Sequence, residues 1–269
     1  MAERVSKSEQ PVLSVVIPAR NEEQKIPLLL AMLRREMQYF LEDIEIIVAN
    51  NSDRDDSTAS IVSDFSMHNP KMNVQIVESE KGVSKARNCG ADAARSDTIL
   101  FLDADTRMQE GVLRSSLASM NLADLDAAGF YFDSPTNAPL ERLFVELSNG
   151  AHWVLQHTPM PVCTAAALYV KKDAHNEIGG FNEDMSFFED SDYVQRIVRS
   201  GRQFGFVPER VVFDMSRFRT SPLHFMRIHA ENVFHFMTHG VPSPSIIQEY
   251  HRNRDGALYE LHEQYEKIS

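Results

Sequence analysis

The sequence predicts an α/β fold with a mostly parallel central sheet and a helical tail. Three observations carry that expectation. Short apolar runs alternate with helix-period segments through most of the 269 residues, as βαβ units do. Four of these runs end in polar loops, and in parallel sheets ligands gather at such carboxyl ends. The stretch Gly82–Asp105 joins both patterns: a helix with a small-residue face leads into a buried strand that ends in two carboxylates.

The elements follow in order. Val12–Ile17 is a strand closed by Pro18, followed by the loop Arg20-Asn21-Glu22 and a helix over 26–40. Ile44–Val48 is the second strand, with the loop Asn50-Asn51-Ser52 behind it and a helix over 57–67. Val74–Val77 is the third. In the next helix Ala86, Cys89, Gly90, Ala93 and Ala94 recur at helical spacing, so that face can lie close to a sheet, with Lys85 and Arg87 projecting elsewhere. Thr98–Leu102 is an apolar run of the doubly buried kind. If the extended chain continues, Asp103 and Asp105 point the same way. Two such carboxylates repel unless a cation sits between them, and hard oxygen donors suit Mg²⁺ or Mn²⁺ with substrate phosphates.

Beyond Asp105 the pattern predicts a helix over 109–120, a strand Ala127–Phe132, a helix over 140–155 and a strand Thr164–Val170. A Gly179-Gly180 turn, a helix from Glu189 to Ser200 and short strands at 204–207 and 211–213 come next. Two amphipathic helices, 223–238 and 245–266, fill the tail. Glu189 and Asp190 open their helix. Acids there suit the helix dipole. Alternatively Asp190 is a general base, its pKa raised by the apolar neighbours Phe187 and Phe188.

Composition narrows the class. A net charge of −12 argues against nucleic acid or an anionic membrane as the main partner. Two cysteines point to a reducing compartment. The opening MAERVSKSEQ has no apolar h-region, and no apolar run reaches ~20 residues, so a cytoplasmic location is expected. No Gly-x-Gly-x-x-Gly follows the first strand, and neither a P-loop nor a Gly-x-Ser-x-Gly elbow occurs. Five of ten histidines lie in the tail. His235 and His239 have i,i+4 spacing without a third ligand. The stripe Leu223, Met226, Val233, Met237 reads as a docking face, open to a partner subunit in a homodimer or to a lipid-linked acceptor at a membrane surface.

Several pieces recur in order: Val15–Glu22, Asn50-Asn51-Ser52, Gly82–Asn88, Phe101–Asp105, and Gly179–Glu183 leading to Phe188–Asp192. On these the chain resembles the inverting glycosyltransferases of family 2, with the GT-A fold. The resemblance implies a metal-dependent transfer of a sugar from a UDP- or GDP-type nucleotide sugar to an acceptor hydroxyl, with inversion. The alternatives are a retaining transferase of the same fold and a non-catalytic protein that binds sugar nucleotides or acts as a scaffold. Residues 1–220 would be the catalytic domain, with a nucleotide half 11–105 and an acceptor half 106–220, and 221–269 a helical extension. Pro18, Ala19, Arg20 and Glu22 would line the nucleoside pocket, and Asn50 and Asn51 would read the base. Arg87 would approach the pyrophosphate or ribose, with Asp103, Ala104 and Glu189 nearby. Asp105, with Asp103, would hold Mn²⁺ or Mg²⁺, and Asp190 would be the base. The family often has Asp-Asp-Gly-Ser where this chain has Asn50-Asn51-Ser52, and a His where Asp214 stands. Asp214 is then a further metal ligand or a loop acid, and Arg217 and Arg219 either clamp the leaving diphosphate or are surface residues.

Overall fold

The computed structural model describes residues 10–40, 43–185, 188–212 and 215–239, with some side chains after residue 215 left aside. The chain runs β1 (Leu13–Ala19), α1 (Ile26–Glu36), β2 (Ile44–Asn50), α2 (Thr58–His68), β3 (Asn73–Glu78), α3 (Val83–Ala93), β4 (Thr98–Leu102) and α4 (Val112–Leu122). It continues β5 (Ala127–Phe132), α5 (Pro139–Leu155), β6 (Ala167–Lys171), α6 (Lys172–Glu177), α7 (Glu189–Arg199), β7 (Phe204–Val211), α8 (Ser216–Thr220) and α9 (Pro222–His239). The chain divides into two compact units. One holds the sheet with α1–α7; the other holds α8 and α9, where Phe218 meets Phe225 edge-on at 5.9 Å.

One seven-stranded sheet has the order β3-β2-β1-β4-β6-β5-β7. The first four strands are parallel neighbours, as are β5 and β7. β6 runs antiparallel to both β4 and β5. The strands β1, β2 and β4 are buried on both faces, as expected of strands covered by crossover helices. The small face of α3 brings it against β1. At Gly90 an added Cβ would stand 2.3 Å from Val16 Cγ1, so only glycine permits that approach.

The structure revises three sequence expectations. The predicted strand over 164–170 begins only at Ala167, and residues 161–164 form a loop ahead of it. The two short strands predicted at 204–207 and 211–213 are one strand. Pro208 suggests a break, but Pro208 and Glu209 are looped out where the register shifts opposite Phe130/Tyr131. β7 is an edge strand, where proline is tolerated. Val212 then pairs with Arg107 as an isolated bridge, and Phe213 lies outside the described residues. The short helices α6 and α8 are additional. The predicted helix over 245–266 and His251 also lie outside the described residues, as does the side chain of His239. Among the described residues no helix is long and apolar enough to cross a membrane.

Candidate active site

Because β2, β1 and β4 are adjacent and parallel, the loops at their carboxyl ends lie side by side. The first leaves β1 through Pro18 and the buried Ala19. Asn21 takes a positive φ of 56°, which asparagine tolerates. Its Nδ2 donates to Asp53 at 2.9 Å, and the Asp53 amide donates back to Asn21 Oδ1 at 2.9 Å. Arg20 turns toward Asp53 as well, at 3.9 Å. Glu22 stays near the site. Burial raises its pKa; Lys25 opposes this, and Asp105 and Asp103 add to it.

Asn50 and Asn51 are both buried. Asn50 Nδ2 donates to both Glu78 carboxylate oxygens at 3.3 Å. Asn51 Nδ2 donates to the carbonyls of Glu80 at 3.0 Å and Gly82 at 3.2 Å. Both amides therefore hold the neighbouring strand end and the loop that opens α3.

After β4 the extended chain does not continue. The Thr106 amide donates to Asp103 O at 3.0 Å, closing a turn over 103–106 in which Ala104 is buried. The turn removes extension as the reason for the two carboxylates to share a face. Asp103 and Asp105 instead meet separate cations. Asp103 Oδ1 accepts from Arg87 Nη2 at 3.0 Å, and Asp105 Oδ2 from Lys25 Nζ at 3.3 Å. The turn is pinned to the start of β6: the Asp103 amide and the Thr106 hydroxyl both donate to Ala166 O, at 3.0 and 2.8 Å.

Arg87 is 3% exposed, so it does not project into solvent as its side-chain type suggests. Its Nη1 donates to Glu189 Oε1 at 3.0 Å, and its guanidinium carbon lies 5.2 Å from the Phe181 ring centroid. Burial opposes its charge, but Asp103, Glu189 and Asp190 together raise its pKa. Asp103 is itself raised, by burial first, against the pull of Arg87.

α7 opens with Glu189, Asp190 and Asp192 in its first turn. Its start is stitched to the segment before β6, since Ser191 Oγ donates to Cys163 O at 3.1 Å. That places Asp190 Oδ2 to accept from the Ala165 amide at 3.0 Å, while Oδ1 accepts from the Ser191 amide at 2.8 Å. Burial and then the neighbouring Glu189 push its pKa up to about 7; Arg87 and the two amides pull the other way. Burial supplies the shift expected of the preceding aromatics, of which Phe187 lies outside the described residues.

Sequence reasoning missed three supporting residues. Lys25, three residues after Glu22, joins Glu22 and Asp105. Ala165 donates through its backbone, which no side-chain pattern reveals. Asn88 holds the Gly179–Glu183 turn: its Oδ1 accepts from the Phe181 amide at 2.8 Å, and its Nδ2 donates to Glu183 at 2.9 Å. Gly180, at φ 74°, leaves no room for a Cβ beside that oxygen. Asp214 and the side chain of Arg217 lie outside the described residues. Among the described residues, no three His, Cys, Asp or Glu side chains form a chelating group.

Comparison with known proteins places this arrangement. The pre-mycofactocin glycosyltransferase of Mycobacterium tuberculosis is 25% identical over 221 residues, covering 74% of this chain and 42% of that protein. The minor teichoic acid biosynthesis protein GgaB of Bacillus subtilis is 26% identical over 207 residues, covering 73% and 22%. The chain thus spans less than half the length of these relatives. Among solved structures, the mannosyltransferase PcManGT from Pyrobaculum calidifontis, in complex with GDP-Man and Mn²⁺, superposes with a TM-score of 0.65. It is 19% identical, covering 84% of this chain and 62% of that one. S. aureus TarS gives 0.60 at 17% identity, covering 83% and 43%. The fold is the GT-A fold of these glycosyltransferases. The family model for glycosyl transferase family 2 matches residues 14–179, from β1 to the turn before Phe181, and the chain belongs to that family.

Proposed function

We propose that this domain transfers a sugar from a UDP- or GDP-type nucleotide sugar to an acceptor hydroxyl, with inversion, and that Asp190 is the base. The observation that carries the reading is the Asp190 carboxylate. Two backbone amides fix it at the carboxyl edge of β4, and its pKa is pushed up to about 7. A base poised near the working pH removes a hydroxyl proton most effectively. A carboxylate serving as base rather than nucleophile leaves the acceptor to attack the anomeric carbon directly, which inverts it.

Arg87 orients both sides of the site: it holds Asp103 toward the donor and Glu189 beside the base. Glu22 and the turn over 103–106 form the donor floor. PcManGT with GDP-Man and Mn²⁺, and TarS with UDP-GlcNAc, support a nucleotide-sugar donor for a domain of this fold. The hard oxygen donors of Asp105, with Asp103, fit Mn²⁺ or Mg²⁺, which bind through one or two carboxylates plus phosphates. Such an ion would neutralise the leaving diphosphate. The buried tethers of Asn50 and Asn51 favour an indirect part in base selection, through the loop that opens α3.

The test begins with thermal shifts across UDP- and GDP-sugars, with and without Mn²⁺. For an accepted donor, proton NMR of the product is expected to show the inverted anomer. A retained anomer would overturn the role given to Asp190. Calorimetry of UDP or GDP binding to Asp105→Ala is expected to lose its metal dependence.

A further inference from the structure

Lys25 precedes α1, three residues after Glu22. Its ammonium stands 3.3 Å from Asp105 Oδ2 and 3.7 Å from Glu22 Oε2. Both carboxylates of the turn over 103–106 thus meet a cation from the protein itself, but the two cations differ in kind. Arg87 is 3% exposed, and two carboxylates hold its rigid fork. Lys25 is 39% exposed, a strongly hydrated point charge on a flexible stem. An ion pair that open to water holds its partners weakly. Lys25 is therefore the cation that can leave.

We propose that Lys25 is a resident counter-ion of the donor site. It neutralises Asp105 and Glu22 while no nucleotide is bound, and yields Asp105 to the divalent ion that accompanies a nucleoside diphosphate. Metal uptake thereby depends on nucleotide. The inference rests on reading Asp105 as a metal ligand. The charges explain the dependence. An ion arriving alone must displace an ammonium to reach Asp105, and the neighbouring Asp103 is already engaged by Arg87. An ion arriving with a diphosphate brings further oxygens and negative charge. These complete its coordination and give the displaced ammonium a new partner within reach of its stem. By linkage, nucleotide and ion then strengthen each other by the same factor.

The test uses the full chain and Mn²⁺, with free Mn²⁺ followed by electron paramagnetic resonance, first without nucleotide and then with saturating UDP or GDP. Wild type is expected to bind Mn²⁺ at least ~10-fold more tightly with nucleotide, within the usual range of coupling between sites. Lys25→Met is expected to bind Mn²⁺ about 10-fold more tightly than wild type without nucleotide, with the coupling reduced to match. Lys25→Arg keeps the positive charge and is expected to gain no nucleotide-free affinity for Mn²⁺, which separates loss of charge from loss of the lysine side chain. Lys25→Gln is measured alongside, so that a folding defect in one neutral variant leaves the other to decide. Unchanged nucleotide-free affinity in the folded neutral variant, with wild-type coupling intact, overturns the counter-ion role and leaves Asp105 as a ligand. Failure of wild type to take up Mn²⁺ with either nucleotide overturns the metal reading itself, and the proposal with it.

Discussion

Arg87 donates to Glu189 at 3.0 Å across 102 residues of chain. Through its other nitrogen it holds Asp103, also at 3.0 Å. One buried guanidinium thus joins the turn over 103–106 to the helix that carries Asp190. Arg87→Met would leave two carboxylates facing each other without a counter-charge. Breaking a buried pair of this kind costs about 3 kcal/mol or more. Urea unfolding at pH 7 is expected to show that loss. At pH 5 the deficit is expected to shrink, because burial raises the Asp103 pKa and its uptake of a proton relieves the repulsion.

Asp190→Asn is expected to bind donor almost normally and turn over at least ~100-fold more slowly. Both carboxylate oxygens accept amide hydrogens, so an Asn side chain turns its NH₂ toward one of them and loses about 1 kcal/mol at every pH. The pH dependence is separate. The fold raises the Asp190 pKa, so this group's contribution to stability is present at low pH and is lost as pH rises through about 7. Wild-type kcat/KM is expected to rise over the same interval as the base ionises. Melting curves from pH 5.5 to 8.5 are expected to shift in favour of Asp190→Asn relative to wild type.

Gly90→Ala sets helix propensity against packing. Alanine gains up to ~1 kcal/mol in a helix. Its Cβ, however, would stand 2.3 Å from Val16 Cγ1 in the most buried part of the sheet, and overpacking there costs about 1–3 kcal/mol. Net destabilisation is expected. The double variant with Val16→Ala is expected to be more stable than the sum of the two single changes predicts.

Asn51→Asp removes the NH₂ that bonds the carbonyls of Glu80 and Gly82 and sets a carboxylate against them. A loss of about 2 kcal/mol is expected. Calorimetry with UDP and GDP is expected to show weaker binding of both. A change in preference between the two bases would instead make Asn51 a direct reader of the base.

Much of the chain through β4 is legible in the sequence because its signals are local. β4 matches its apolar run to the residue, and the loops after β1, β2 and β4 lie on one edge, as their pattern implies. The rest depends on tertiary contacts. A run such as Ala167–Val170, buried on both faces, carries no mark of direction, so the reversal of β6 is invisible. The turn over 103–106 is tied down by Thr106 reaching Ala166, 60 residues away. Lys25 looks like an ordinary helix-start lysine until the fold sets it beside Asp105.

The reversed β6 has an evolutionary consequence. β1, β2 and β4 each deliver their loop after the strand, so altering such a loop disturbs the helix that follows. β6 instead approaches the site from its own beginning, and Ala166 anchors that beginning to the turn over 103–106. Insertions or deletions ahead of Cys163 fall in a loop that can change length while β4, β6 and the carboxylates keep their register. Under the proposed function that loop would be the wall facing the acceptor hydroxyl, able to vary in length over a constant floor and to give one scaffold a route to many acceptors.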